Sequence, residues 1–238
     1  MSRRTKTRPI QRFSRQIIIS HWWNATAFFI LYLSGLPLYT EWFDFLYVFF
    51  GGPENARLVH RVFAVVICLP IVFMLLFDRK GFFHWIKSIF TWSKRDIQFL
   101  LAFPKEFFGR NPKYPPQDFY NGGEKLNSLL QILCIGMLVI SGFIMWLPDF
   151  FPQFLVRWAF PMHNIGFGLA AAVVVGHIYL SIGHPNSRVS MQGMTKGYVP
   201  EWYAEEHHGK WYEELKEQER KKQGAETQDA QGKQAVSQ

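Results

Sequence analysis

The chain has 238 residues and a formal net charge of +8, with 49% of its residues hydrophobic and 18% aromatic. Its mean hydropathy is nevertheless only −0.03, because long apolar blocks are segregated from charged stretches, a pattern that excludes an ordinary soluble domain. The basic residues flank the apolar blocks, where they set orientation in a membrane, so the charge calls for no nucleic acid as partner. Only Cys68 and Cys134 occur, both inside apolar blocks, which leaves no basis for a disulfide framework or a Cys-ligated iron–sulfur cluster.

Arg3, Arg4, Lys6, Arg8, Arg12 and Arg15 open the chain and place the N-terminus in the cytoplasm by the positive-inside rule. The first apolar block, 17–39, is long enough to cross a bilayer. It mimics a signal peptide, but no convincing small-residue cleavage site accompanies it, and His21, Trp22, Trp23 and Asn24 stand near its start. It reads as a retained helix. The connection to the second block carries Glu41, Asp44 and Glu54 without a Lys or Arg, so it belongs outside. After the span at 56–77 comes a long segment with Arg79, Lys80, Lys87, Lys94, Arg95 and further basic residues up to Lys125, an inside signature.

Within that segment, 82–92 mixes aromatics and lysines as a helix lying at headgroup level does. Asn111, Pro112, Pro115 and Pro116 then break regular structure. Tyr120-Asn121-Gly122-Gly123-Glu124-Lys125 leads into the third span, 126–147, and sets small and polar groups at the inner membrane face. A short connection with Asp149 goes outside, the fourth span covers 158–183, and the tail is basic again, so both termini are cytoplasmic. Residues 200–222 fit an amphipathic helix begun by Pro200, whereas the Gln, Ala, Gly and Ser of 223–238 read as a disordered tail. The fold expected is all-α: a polytopic four-transmembrane-helix bundle with cytoplasmic amphipathic helices over 1–222, followed by the tail.

Histidines decide the chemistry. Of the eight, His21, His60, His163 and His177 fall within spans, while His84, His184, His207 and His208 lie at or beyond span ends. His163 and His177 are fourteen residues apart, which on a helix is about 1400° of rotation and about 21 Å of rise, so both rings face one way at two depths. His21 matches the depth of His177 and His60 that of His163. Two imidazoles facing each other across a bundle are an axial pair for a low-spin haem iron. Each iron would then have two of the four: His60 and His163 outside, His21 and His177 inside. With no Cys-x-x-Cys-His attachment site, the cofactors expected are two non-covalent haems b. Gly166, Gly168, Ala170, Ala171, Ala172 and Gly176 leave little side-chain volume along span four, suited either to close approach of a macrocycle or to helix packing. His184, seven residues past His177, is the competing ligand. A histidine-based metal-ion transporter is a different class of reading, but no Asp or Glu lies deep in the spans.

These residues resemble the cytochrome b (gamma) subunits of membrane-bound respiratory formate dehydrogenases, four-span dihaem proteins. The resemblance rests on His21-Trp22, on Arg57-Leu58-Val59-His60, on the Tyr120–Lys125 motif, on His163 with His177, and on the tail Gly193-Met194-Thr195-Lys196-Gly197 with Trp202, His207-His208 and Lys210-Trp211-Tyr212. Histidine spacing alone would not separate it from cytochrome b subunits of nickel–iron hydrogenases or thiosulfate reductases; the motif before span three and the tail favour formate dehydrogenase. The resemblance implies a bacterial inner-membrane protein whose partners are an iron–sulfur beta subunit and a molybdenum or tungsten catalytic alpha subunit. Electrons would enter at the outer pair and leave at the inner one to a quinone, menaquinone or ubiquinone. The family's quinone pocket carries over to Asn121, Gly123 and the ligand His177. Glu124 replaces a glutamine common in that family, and Asn121 also fits a helix-start residue for span three.

Overall fold

The computed structural model describes residues 8–107, 112–185 and 187–236; Arg3, Arg4, Lys6, Arg110 and Asn111 of the sequence reading lie outside these. A three-residue strand β1 (Pro9–Gln11) pairs with β2 (Tyr198–Pro200), and the other elements are helical. Among the described residues, four helices are long and apolar enough to cross a membrane: Arg15–Tyr39, Pro53–Phe77, Gly122–Trp146 and Gln153–Gly183. The four expected spans are these four, each starting a few residues earlier than hydropathy alone suggests, because capping residues and polar first turns belong to the helix.

Helix α1 (Arg15–Tyr39) starts at Ser14, whose Oγ accepts the Ile17 N–H at 3.2 Å and so satisfies one of the donors that a helix start leaves unpaired. The connection expected as an acidic loop is instead a nine-residue 3-10 helix, Glu41–Phe49. With three residues per turn its i and i+3 positions eclipse, so Trp42, Phe45 and Val48 form one exposed apolar row. The second span is not continuous. It divides into α2 (Pro53–Val66) and α3 (Leu69–Phe77), broken at Ile67 and Cys68, because Pro70 has no N–H to give the Val66 carbonyl and its ring crowds that turn. Helix α4 (Arg79–Phe90) is the helix expected near 82–92, and α5 (Lys94–Phe107) follows it without having been anticipated. Helix α6 (Gly122–Trp146) is span three. Helix α7 (Gln153–Ile178) is span four and passes into a single π turn at Tyr179–Gly183.

Beyond it come α8 (Met191–Lys196), α9 (Glu201–His207) and α10 (Gly209–Val236). The tail expected as one helix is two, divided at His208, whose fully buried ring places Nδ1 2.9 Å from the Asp118 carbonyl oxygen. Helix α10 also continues through the stretch that composition reads as disordered; Ala, Gln, Glu and Lys are good helix formers even where nothing apolar is buried.

The chain divides into two compact units: the described parts of Met1–Ile10, Ser88–Leu126 and Val199–Gln238 form one, and Gln11–Lys87 with Asn127–Tyr198 form the other. The second unit contains the bundle. Large side chains such as Leu33, Leu58, Ile71, Leu76, Leu133 and Ile165 are exposed on it, whereas its interior contacts are made by small residues: Ala27, Ser34, Ala56, Ser141, Ala159 and Ala170 are at most 1% exposed. That inversion suits lipid, where apolar surface gains nothing by burial and close backbone approach drives helix association. One layer of the interior, Ala27, Phe28, Ile67, Cys134 and Ala170, takes residues from all four spans. Tyr32 stacks between Phe28 and Phe167 at 4.6 and 4.5 Å between ring centres and donates its hydroxyl to the Phe167 carbonyl. The first unit buries Ile89, Val199, Tyr203 and Ala204. It also holds two reciprocal helix-start boxes, Ser93 with Asp96 for α5 and Asn121 with Glu124 for α6.

Candidate functional site

The bundle brings the four span histidines together as two pairs. His21 of α1 and His177 of α7 have ring centres 6.2 Å apart with their planes at 58°; His60 of α2 and His163 of α7 have them 6.4 Å apart at 65°. An imidazole nitrogen bonds a transition metal at about 2.0 Å, and its ring centre lies about 1.1 Å behind that nitrogen, so two imidazoles sharing one ion stand about 6.2 Å centre to centre. Each pair has that spacing. Among the described residues no group of three or more His, Cys, Asp or Glu side chains converges, so each candidate metal position rests on two imidazoles.

The surroundings fix which ring nitrogen is available. Ser34 donates its hydroxyl to the carbonyls of Ile30 (2.8 Å) and Leu31 (3.2 Å), while its Oγ lies 3.1 Å from His60 Nδ1. The serine proton is already committed to the backbone, so Oγ can only accept, and Nδ1 must carry the hydrogen. Ser141 repeats the arrangement: its hydroxyl donates to Met137 O (2.6 Å) and Leu138 O (3.3 Å), and its Oγ is 3.0 Å from His163 Nδ1. Both rings are thereby held as the tautomer whose Nε2 lone pair is free to bind a metal, the usual device by which an outer hydrogen bond orients a histidine ligand. In the other pair, the Asn127 side-chain amide is 3.5 Å from His177 Nδ1, and His21 Nδ1 is buried without a hydrogen-bond partner.

Sequence reasoning, which took none of the four histidines from span three, missed these supports. Helix α6 supplies one residue to each: Asn127 and Ser141. The glycines next to the two serines act as well. A Cβ on Gly35 would come within 3.1 Å of His60 Cε1, and one on Gly142 within 3.3 Å of His163 Cε1, so a Ser-Gly step in α1 and another in α6 each seat one ring. A spacing signal was present. Gly35 lies fourteen residues beyond His21 and Ser141 fourteen beyond Asn127, the same interval that separates His163 from His177.

The small residues of span four divide by face. Gly166 packs on Met137 and Leu138, where a Cβ would meet side-chain atoms at 3.1 and 3.2 Å, and Ala170, midway between His163 and His177, is fully buried in the layer between the pairs. A Cβ at Gly168 or Gly176 would meet nothing within 4 Å; at about 100° per residue Gly168 lies about 140–180° round the helix from the two histidines and Gly176 about 100–140°. The packing role therefore belongs to Gly166 and Ala170, whereas the space beside Gly168 and Gly176 is open. His184 is buried, with Nδ1 3.2 Å from Ser187 Oγ and its ring edge-on to Tyr179. The π turn alters the rotation after His177, and the ring that faces His21 is that of His177.

Asn121 immediately precedes α6 and Gly123 lies in its first turn. Asn121 Oδ1 accepts the Glu124 N–H at 2.9 Å and Glu124 Oε2 accepts the Asn121 N–H at 3.1 Å. The helix-start role weighed for Asn121 is thus filled by its oxygen, which leaves the side-chain NH2 able to donate elsewhere.

A family described as prokaryotic cytochrome b561 matches residues 12–197, which include all four histidines. The chain belongs to the prokaryotic cytochrome b561 family. That membership makes it a bacterial membrane cytochrome and implies haem b, which both imidazole pairs fit in spacing and the His60–His163 pair also in tautomer. This cytochrome is 28% identical to the nitrate-inducible formate dehydrogenase cytochrome b556(Fdn) subunit of Escherichia coli K12, over 87% of its own length and 91% of that protein. It is 26% identical to the E. coli K12 formate dehydrogenase cytochrome b556(fdo) subunit, over 90% and 96% of the two chains. The formate dehydrogenase cytochrome b556 subunit of Haemophilus influenzae is 25% identical, over 82% and 79%. The resemblance drawn from the motifs and the relatives agree.

Proposed function

We propose that this chain is the membrane cytochrome b subunit of a formate dehydrogenase. It would accept electrons from a periplasmic iron–sulfur subunit, served by a molybdenum or tungsten catalytic subunit, and pass them through two haems b to a quinone reduced near the cytoplasmic side. The relatives' names supply the enzyme, and the observation that carries the reading is the two imidazole pairs with ring centres 6.2 and 6.4 Å apart. When bound, each haem supplies a one-electron redox centre. His60 and His163 would hold the outer one and His21 and His177 the inner one. Ser34 and Ser141 keep the outer ligands in the coordinating tautomer and deepen their basicity. The buried layer around Ala170 separates the two positions and excludes water between them.

Sidedness follows from charge. His60 opens the second span next to the connection with Glu41, Asp44 and Glu54 and no Lys or Arg, which faces outward under the positive-inside rule; both termini are cytoplasmic. Asn121 and Gly123, carried over from the resemblance, are quinone contacts, with the Asn121 NH2 donating to a quinone oxygen. Haem analysis tests the reading: the purified subunit should yield two haems b per chain in a pyridine haemochrome assay. His60→Ala should remove one haem and block reduction by formate, whereas His177→Ala should remove the other and leave one haem reducible. One haem per parent chain, or none, overturns it.

A further inference from the structure

Resting on the quinone-reducing reading, we propose that a polar cavity in the unit containing the start of α6 is the entry route for the protons that quinone reduction consumes, with the buried Asp96–Lys125 pair as its inner terminus. The cavity measures about 120 Å3, and at about 30 Å3 of liquid volume per molecule it has room for about four waters. Its lining includes Thr91, Ser93, Gln117 and the charged side chains Arg95, Asp96, Asp118, Lys125 and Lys210, a polar wall of the kind that retains water.

The charges are graded by depth. Asp118 and Lys210 form an ion pair at 2.6 Å with their side chains 42% and 34% exposed. Asp96 and Lys125 form one at 3.0 Å with theirs 3% and 6% exposed. The cavity thus joins a pair in contact with solvent to a pair withdrawn from it. The desolvation cost of a buried ion pair can exceed its Coulombic gain, so such a pair is weak evidence of a purely stabilising role. Lys125 Nζ donates to Asp96 Oδ1 and to Thr91 O at 3.1 Å, which uses two of its three N–H groups. Asp96 Oδ2, by contrast, is held by the Ser93 N–H and hydroxyl, both at 2.7 Å. A carboxylate fixed in place and an ammonium with a donor to spare can hold a proton and pass it on through water. Lys125 lies one helical turn beyond Asn121, with its N–H on the Asn121 carbonyl at 3.0 Å, so the inner end of the route stands beside the proposed quinone contact.

The balance is simple. Quinone plus two electrons from formate oxidation plus two protons gives hydroquinone, one proton on each carbonyl oxygen. Each proton enters past Asp118 and Lys210, crosses on cavity water to the Asp96–Lys125 pair and leaves for the quinone. The pair ends each cycle in its starting charge state.

The experiment uses the whole complex in membranes. Asp96→Asn combined with Lys125→Gln removes both charges together and keeps polar side chains of similar size. Haem is reduced by formate, and its reoxidation by added quinone is followed by stopped flow in H2O and D2O. The expected result is full haem reduction with reoxidation slowed by about tenfold or more, an enlarged D2O effect, and partial recovery with azide as a small diffusible weak acid. A merely structural pair would move none of the last three, so reoxidation at the parent rate with the parent isotope effect overturns the proposal. Should that variant fail to assemble, Asp118→Asn with Lys210→Gln decides at the exposed mouth: slower reoxidation, most marked at high pH, supports the route, and parent rates across pH overturn it. Absence of the haem bands from the parent complex would instead sink the dihaem reading, so the two failures are distinct.

Discussion

Ser34 and Ser141 stand on different spans, yet both act on the His60–His163 pair, and that is the most discriminating consequence of the geometry. In Ser34→Ala the Oγ 3.1 Å from His60 Nδ1 is lost, leaving a buried N–H with no acceptor. A neutral hydrogen bond is worth about 0.5–1.5 kcal/mol and an unsatisfied buried donor costs about 1–3 kcal/mol. Loss of an outer hydrogen bond to a histidine ligand lowers metal affinity by about 10- to 100-fold, or about 1.4–2.7 kcal/mol, the same range from a different direction. The imidazole also becomes a poorer electron donor. Ferric iron needs that donation more than ferrous iron does, so the potential of the affected haem should rise; if about 1.4 kcal/mol falls on the ferric state, the shift is about 60 mV for one electron. Ser141→Ala should act on the same haem in the same direction through His163. A redox titration of membranes followed in the α-band should show one component rising by tens of millivolts in either variant and more in the double variant, with the second component unmoved. Both components unmoved, or each serine moving a different haem, would refute the reasoning.

Gly35→Val should cost the outer haem, because even a Cβ would stand 3.1 Å from His60 Cε1, whereas Gly168→Ala, with nothing within 4 Å, should leave haem content unchanged in a pyridine haemochrome assay. Asn121→Asp keeps an oxygen to cap α6 but removes the NH2, and Asn121→Ala removes both; haem reoxidation by quinone should slow in each, with about 1 kcal/mol of helix stability lost only in the alanine variant. A parent-like reoxidation rate in Asn121→Asp would reduce the residue to a cap. Reporter fusions after Gly51 and after Gln223 should fall on opposite sides of the membrane, and a cytoplasmic reporter signal at Gly51 would reverse the assignment of outer and inner haems. Burial alone would push the Asp118 carboxyl up, but hydrogen bonds from Lys210 and the Phe119 N–H outweigh it and hold it below its ordinary value. A depressed carboxyl contributes stability that is present above its unfolded pKa of about 3.9 and lost as pH falls through the lower folded value. Asp118→Asn should therefore flatten the acid limb of a thermal-stability profile below about pH 4, and an unchanged acid limb would show that the Lys210 contact contributes nothing.

The sequence by itself determined the four spans, the family and the sorting of four histidines into two depths, because each depends on local properties of the chain. Span length follows from apolar runs matched to hydrocarbon thickness, and the shared face of His163 and His177 follows from the helical repeat. Only the tertiary structure decided what supports the paired histidines. Ser34 accepts from a ring 26 residues away and Ser141 from one 22 residues away, and a serine inside an apolar run looks the same from sequence whether it hydrogen-bonds only its own helix or a neighbour's side chain as well. The division of Gly166 and Ala170 from Gly168 and Gly176 was likewise invisible, since composition reports size and packing depends on which helix lies opposite. The burial of Asp96 against Lys125 also escaped the chain reading. The two are 29 residues apart, and each taken singly is a charged residue at a helix start, where exposure is the ordinary outcome. Pairing across such distances is set by how helices are brought together, and no periodicity along one helix encodes it.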